Sequence, residues 1–312
     1  MEPHGGLQQF VSSVGKMRKA GAETILDAAK IADGEMIKNG IVATGDISNS
    51  AETLDIKRNS RIRYHTFIEM FGLDGNRAKE IYDAAKNVKR GYDNAKMPSS
   101  LVPHAAYSLS PELWELLHQS HVQCPPQIIS IHHQESSIDD ENAISGKNQK
   151  SKIVNQKLSI KNCQSKIKNC LLVHNTFSTE KDLKKYTSQP ERFYFVLCPG
   201  SNLFIQNRLP DFHLFSRQET SRNVCLGTDS LASNTCLSIL EEMKTIQRYA
   251  PEIPVDTLLR WACLNGARAL GFDDFCGSFE KGKTPGVNLI TGIDFENMKL
   301  TAKSEVTNFV FN

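Results

Sequence analysis

The sequence predicts an α/β fold, namely a (β/α)8 barrel of parallel strands and surrounding helices. Short apolar runs alternate with stretches of helical periodicity, which is typical of βαβ units. The apolar runs are nearly continuous, as in strands that are covered on both faces. The 312 residues exceed the roughly 250 that such a barrel needs, so a small appendage also fits. An open doubly wound sheet is the alternative, but no G-x-G-x-x-G motif follows the first strand.

Seven runs are predicted to be strands, one fewer than a closed barrel of this type contains. They are residues 40–46, 63–68, 101–104, 128–132, 170–174, 193–197 and 224–229. The 3.6-residue periodicity predicts helices at residues 21–39, 75–88, 110–119, 179–186, 235–250 and 254–270. We expect residues 1–275 to form the barrel and residues 276–312 to form a C-terminal β segment.

One segment, at about residues 143–169, does not fit this pattern. Its near-repeat of seven residues places Ile153, Ile160 and Ile167 in register, and it contains seven lysines and no acidic residue. A coiled-coil seam needs two apolar positions per heptad, and this repeat supplies one. We therefore interpret the segment as a low-complexity, solvated insertion in the barrel.

Composition excludes several classes of function. Lys+Arg of 37 against Asp+Glu of 35 leaves a net charge of +2, which does not favour a nucleic-acid partner. The sequence has no apolar run long enough to span a membrane, and its N-terminus lacks the order of a secretory signal. The eight cysteines include no C-x-x-C pair, which favours reduced thiols and a cytoplasmic protein.

Four predicted strands end in a residue that can bind a metal or transfer a proton. These residues are His104, His132, His174 and Asp229. Because the carboxyl ends of parallel barrel strands meet on one face, we expect these four side chains to converge. The pattern indicates an active site more strongly than any single member does.

Two further features refine this site. Side chains alternate across a strand, so His132 shares a face with the small residue Ser130, whereas His133 shares the other face with Ile131. We therefore expect His132 to point into the barrel and His133 to pack against the helices. Glu135 lies three residues after His132, where a carboxylate can transfer a proton between a metal-activated water and a leaving nitrogen.

Six segments carry recognisable motifs, in the order HAAYSLSPEL at 104–113, H-x-x-E at 132–135, LLVHNTFST at 171–179, CPGSNLFIQNRLPD at 198–211, LGTDSLASN at 226–234 and LNGARALGF at 264–272. Together they resemble the amidohydrolase superfamily, in the branch of cytosine, guanine and S-adenosylhomocysteine deaminases. A further segment, GSFEKGKTPGVNLI at 277–290, resembles that family's return into a small β-sandwich.

The resemblance implies a role for each candidate residue. His132 corresponds to the metal-binding histidine of the family's fifth strand, and Glu135 to the catalytic proton shuttle. His174 corresponds to a histidine beside the catalytic water, and Asp229 to an aspartate that binds the metal and acts as a base. His104 corresponds to a histidine that contacts the substrate. The implied cofactor is one divalent metal ion, zinc being expected and iron being the alternative.

The sequence departs from the family at one motif. The family's first strand ends in H-x-H and supplies two metal ligands, but these 312 residues contain no H-x-H. Residues 6–11 resemble the segment after that strand, so we expect the chain to begin just downstream of it. Of the implied ligands, His132 and Asp229 remain. The two unpaired sheet edges of such a barrel favour association into a homo-oligomer.

Three functions stay open at this point. The first is hydrolysis of C–N bonds other than peptide bonds, by deamination of a small aminated heterocycle or nucleoside. The second is a catalytically inactive, truncated protein with a structural or binding role, which the missing H-x-H favours. The third is hydrolysis of a cyclic amide; the H-x-x-E pair argues against it, and no lysine is placed to bridge two metals.

Overall fold

The computed structural model describes residues 3–17, 21–137, 167–189 and 192–309. Most of the predicted insertion at about 143–169 lies outside these residues. Seven strands are parallel and two are antiparallel, in the order β1 Ala43–Ser48, β2 Arg63–Met70, β3 Ser99–Pro103, β4 Ile128–His133, β5 Asn169–His174, β6 Phe193–Leu197, β7 Val224–Leu226, β8 Val287–Thr291 and β9 Glu305–Phe309.

Helices separate most of the strands, so the predicted alternation is confirmed. In the described residues, none of them is both long and apolar enough to cross a membrane. They are α1 Gly6–Met17, α2 Ala22–Lys38, α3 Leu54–Asn59, α4 Ala78–Asn94, α5 Pro111–Gln123, α6 Glu180–Thr187, α7 Pro199–Gln206, α8 Phe212–Ser216, α9 Gln218–Ser221, α10 Ile239–Tyr249, α11 Val255–Arg260 and α12 Gly266–Ala269.

The seven parallel strands form two sheets, β1-β2-β3 and β4-β5-β6-β7. A parallel bridge between Ala105 and His132 joins the two sheets just beyond β3. There the main-chain N–H of His132 donates to the oxygen of His104 at 2.8 Å. The carboxyl ends of these strands therefore lie at one common edge. The α/β class is confirmed, while closure into a barrel stays a prediction.

The strands β2 to β6 are mainly buried, as their continuous apolar runs predict, whereas β1 is partly exposed along its length. On β2, Phe67 belongs to the main hydrophobic cluster, which contains residues of β4 to β7. Its neighbours Ile68 and Met70 belong to a second cluster, with residues of α4 and α5. This alternation places the odd-numbered residues of β2 on the inner face of the sheet.

The predicted C-terminal β segment contains the antiparallel pair β8 and β9. Ile290 and Val306, which are register partners, pack against the main hydrophobic cluster. The boundary predicted at residue 276 between barrel and β segment stays a prediction, as does the resemblance of this segment to part of a sandwich.

Candidate active site

β4 ends in two adjacent histidines that face opposite sides of the sheet. His133 packs edge-on against Tyr186 of α6, with ring centroids 5.5 Å apart, and so faces the helices. The ring of His132 instead stacks against the rings of His104 at 4.4 Å and His174 at 5.2 Å. The predicted separation of the two neighbours is therefore confirmed, and three of the four strand-end residues converge.

His104 follows the last residue of β3 and stands at the same edge as His132. Its ring meets the rings of Phe71 and Tyr107 edge-on, with centroids 6.1 Å and 6.4 Å away. Its main-chain oxygen accepts a hydrogen bond from Nδ1 of His132 at 2.9 Å. The aromatic side chains thus form one wall of the site, and the main chain of His104 orients the neighbouring histidine.

Glu69 is a site residue that the sequence analysis missed. It lies on the inner face of β2, is buried, and places Oε1 at 3.4 Å from Nδ1 of His132. Glu69, His104 and His132 each offer one potential metal-ligand atom, and these atoms lie within 4.8 Å of one another. The signal was an acidic residue directly after an apolar run, since the predicted strand ended at Ile68.

His174 and Glu135 face each other in the interior of the site. His174 donates from Nδ1 to Oδ1 of Asn202 at 2.9 Å, which directs Nε2 toward Glu135. The distance from Nε2 to Oε1 of Glu135 is 3.6 Å, and this buried nitrogen has no hydrogen bond to the described residues. Burial raises the pKa of Glu135 to about 7, against a smaller lowering by His132; Asp229 and Glu69 add to the rise. A carboxyl group with such a pKa can both accept and donate a proton near neutrality.

Asp229 lies three residues beyond β7, and several donors hold its carboxylate. Oδ2 accepts from Oγ of Ser201 at 2.7 Å and of Ser233 at 2.8 Å, and Oδ1 accepts from the N–H of Ser230 at 2.7 Å. Burial alone would raise the pKa of Asp229, but His174 and the hydroxyl of Ser201 help to keep it below the usual value. The side chain is therefore an oriented anion beside the histidines.

Several residues at this edge have backbone angles that side chains rarely adopt. The φ angles of His174 (77°), Asn175 (57°), Gln134 (51°) and Asp229 (55°) are positive. Non-glycine residues in this region carry backbone strain, which accumulates at functional sites. The strained residues therefore lie at the same carboxyl edge of the strands as the histidines and acids of the candidate site.

The donors at this edge fit a divalent metal ion. Imidazole nitrogens and carboxylate oxygens are ligands that zinc prefers, and the potential ligand atoms of Glu69, His104 and His132 are of these two kinds. The buried Nε2 of His174, which has no hydrogen bond to the described residues, suits a nitrogen that faces a bound water or ion. The site thus offers both the ligand chemistry and a polar position that the described side chains do not fill.

The residues that hydrogen-bond to His174 and Asp229 were not predicted from the sequence. Asn202 and Ser201 lie on α7 and bond His174 and Asp229, and Ser233 lies in the loop after β7. Their motifs, CPGSNLFIQNRLPD and LGTDSLASN, were part of the resemblance. The individual hydroxyl and amide contacts depend on how α7 packs beside β5 and β7, and no local pattern predicts them.

The profile of the amidohydrolase family matches residues 10–311, so the chain belongs to this family. It is 31% identical over 206 residues to 5-methylthioadenosine/S-adenosylhomocysteine deaminase of Saccharophagus degradans, a match that covers 63% of this chain and 43% of that protein. It is 24% identical over an alignment of 326 positions to adenosine deaminase of Helicobacter pylori, with 99% of this chain and 77% of that protein covered. The resemblance to the deaminase branch is confirmed.

Solved structures show the same fold. An adenosine deaminase from Xanthomonas campestris with bound zinc superposes with a TM-score of 0.67 at 22% identity, covering 91% of this chain and 65% of that chain. The chain thus spans less than half the length of the S. degradans deaminase and about two thirds of the X. campestris enzyme.

Proposed function

We propose that this protein is a metal-dependent hydrolase that deaminates an aminated heterocycle or nucleoside. The observation that carries the proposal is the buried pair of His174 and Glu135 beside His132 and Asp229, at the common carboxyl edge of the strands. The relatives whose names describe deaminases of adenosine-like substrates support this class of small-molecule substrate.

His132 and Asp229 would hold the metal, which we propose to be zinc, with iron as the alternative. A bound ion of this kind lowers the pKa of a water molecule toward about 7 and so supplies a nucleophile at neutral pH. The ligand types support zinc, as does the zinc in the X. campestris deaminase.

The remaining residues would handle the protons and the substrate. Asp229, which its serine donors keep ionised and oriented, would act as a base toward the attacking water. Glu135, with a pKa near 7, would carry a proton to the leaving amino group. His174 would hold the water through Nε2, and His104, on the aromatic wall with Phe71, would contact the substrate ring.

We also propose that the seven parallel strands belong to a barrel. The chain before β1 and the chain after β7 are in contact: Glu35 of α2 accepts from the N–H of Leu237, and Asn39 donates to the oxygen of Leu237, at 2.8 and 2.9 Å. The first and last strands of the series are therefore connected through their flanking segments, which supports a ring rather than an open sheet.

A catalytically inactive binding protein is the second candidate. The observation that favours it is the absence of H-x-H from the 312 residues, which leaves two implied ligands without counterparts. Zinc in proteins commonly has three or four protein ligands. This candidate predicts no stoichiometric zinc and no ammonia release.

The deciding experiment combines metal analysis with an activity screen. The purified chain is analysed for zinc and iron after gel filtration, and ammonia release is assayed with adenosine, 5′-substituted adenosines, guanine and cytosine. About one metal per chain with ammonia release from one of these compounds is expected. Soluble protein that has neither metal nor activity would refute the proposal and favour the inactive candidate.

A matched variant tests the role of Glu135. Glu135→Gln keeps the size of the side chain but cannot carry a proton, so we expect turnover to fall by about 10²–10⁴-fold with unchanged metal content. Glu115→Gln, at an exposed position of α5, is the control and should leave both unchanged. Activity of Glu135→Gln within about threefold of the wild type would contradict the assigned role, since general acid–base catalysis contributes far more.

A further inference from the structure

Glu69 has no role in the function proposed so far, although it is buried inside the site. Side chains alternate along β2, so Glu69 shares the inner face with His65 and Phe67. Its carboxylate Oε1 lies 3.4 Å from Nδ1 of His132, and its side chain is 7% exposed. The carboxylate is therefore close enough to the ring of His132 to interact with it directly.

The hydrogen bond of His132 decides which ring nitrogen carries the proton. Nδ1 lies 2.9 Å from the main-chain oxygen of His104, and a carbonyl oxygen can only accept. Nδ1 is therefore the protonated nitrogen of the neutral ring, and Nε2 keeps its lone pair. A metal bound by His132 must consequently lie on the Nε2 side of the ring.

Glu69 lies on the opposite side of that ring, next to Nδ1. We infer that Glu69 is a positioning residue for His132, an inference that rests on the proposed role of His132 as a metal ligand. Together with the oxygen of His104, the carboxylate favours the Nδ1–H tautomer, fixes the ring plane and makes Nε2 a stronger electron donor. Carboxylate partners behind ligating histidines act in this way, and their loss typically weakens metal binding by about 10–100-fold.

Metal affinity measured on the full chain tests this inference. Zinc dissociation constants are determined by competition with a chelator for the wild type, Glu69→Gln and Glu69→Met. Gln keeps an acceptor but loses the charge, so we expect about tenfold weaker binding, whereas Met loses both and approaches a hundredfold. The control is His65→Asn, four residues before Glu69 on the same face of β2 and therefore about 13 Å from it at 3.3 Å per residue. Its zinc affinity should stay within about twofold of the wild type, well below the 10–100-fold loss expected for a carboxylate partner.

Two spectroscopic readouts separate positioning from a merely structural effect. In ¹⁵N NMR of the metal-free wild type, His132 is expected in the Nδ1–H tautomer. Glu69→Met should raise the fraction of the Nε2–H tautomer, because the main-chain oxygen of His104 then favours Nδ1–H without the carboxylate. The absorption spectrum of the cobalt-loaded chain should keep its shape in Glu69→Gln, because no ligand is exchanged. A changed cobalt spectrum would mean that Glu69 ligates the metal directly, which would overturn the inference.

The inference also fails if both Glu69 variants are folded and bind zinc within about twofold of the wild type, since the expected loss is about 10–100-fold. It fails equally if His132 of the wild type carries its proton on Nε2. Failure of the proposed function gives a different result. A wild-type chain that binds no zinc would refute the metal-dependent activity, while the tautomer of His132 in wild type and Glu69→Met would still decide whether Glu69 positions this ring.

Discussion

Two serine hydroxyls are predicted to hold the carboxylate of Asp229 jointly, so removing both should destabilise the protein by more than the two single losses added. Ser201 and Ser233 each donate to Oδ2 of Asp229, at 2.7 and 2.8 Å, and their oxygens lie 2.9 Å from each other. Each hydroxyl has one proton. With both serines present, Oδ2 accepts two hydrogen bonds. When one serine is removed, the hydroxyl of the other still donates to Oδ2.

The expected magnitudes follow from the burial of this carboxylate. A hydrogen bond to a charged group contributes about 1.5–3 kcal/mol, and a buried charge without a donor is costlier still. Ser201→Ala or Ser233→Ala leaves Oδ2 with one donor, so we expect each to lower the free energy of unfolding by about 1–2 kcal/mol. The double variant leaves Oδ2 without a hydroxyl donor, and its loss should exceed the sum by at least about 0.5 kcal/mol.

Urea unfolding of the four proteins at pH 7.5 measures this coupling. Ser216→Ala is the control, since the Ser216 hydroxyl donates to a main-chain oxygen near the surface, and its effect should stay below about 0.5 kcal/mol. Strictly additive losses, or single losses as small as that of the control, would refute the argument. Zinc affinity measured on the same variants would show whether the orientation of Asp229 also matters for the metal.

Two further predictions concern buried groups outside the site. Burial, with a smaller contribution from Lys89, lowers the pKa of His65 to about 4. Below pH 6.5, His65 is therefore protonated in the unfolded chain but stays neutral in the folded chain until the pH approaches 4. Stability should fall by about 2 kcal/mol between pH 7.5 and 5.0, and urea unfolding of His65→Asn should lack this loss; an unchanged pH dependence would contradict it. Lys57 forms an ion pair with Asp46, with Nζ 2.5 Å from Oδ2. Lys57→Met removes this pair and should lower the free energy of unfolding by about 3 kcal/mol. Adding Asp46→Leu should restore part of the loss, and no recovery would argue against an unpaired charge as the cause.

The alternation of strands and helices was predictable because it depends on local periodicity. All seven predicted parallel strands are present, with ends shifted by a few residues. The helix predicted at 254–270 is instead interrupted by a π-helical turn, Trp261–Asn265. There, Nε1 of Trp261 donates to the hydroxyl of Ser221, and the Asn265 amide donates to the oxygen of Val224. Such a turn follows from contacts with another strand and helix, which the periodicity of a single segment does not contain.

In the candidate site, too, some features could be predicted from the sequence and others could not. His132 and His133 could be distinguished because neighbouring residues of a strand face opposite sides. Convergence of the strand ends could be predicted from topology, and it is observed for the histidines. The partner of each site residue could not be predicted, because Glu69 and Asn202 meet their histidines across strands and helices that are distant in sequence.

The two candidate functions differ in what the buried carboxyl of Glu135 does for the protein. Burial raises its pKa to about 7, so ionisation is less favourable in the folded chain than in the unfolded one. In the metal-free protein, stability must then fall as the pH rises from 4.5 through about 7, by roughly 3 kcal/mol. Glu135→Gln removes this loss and should be more stable than the wild type at pH 8. If Glu135→Gln is more stable than the wild type but loses turnover, Glu135 is an active-site residue that the fold retains at a cost in stability. If Glu135→Gln is more stable and the wild type has no activity, the protein is better explained as a binding protein.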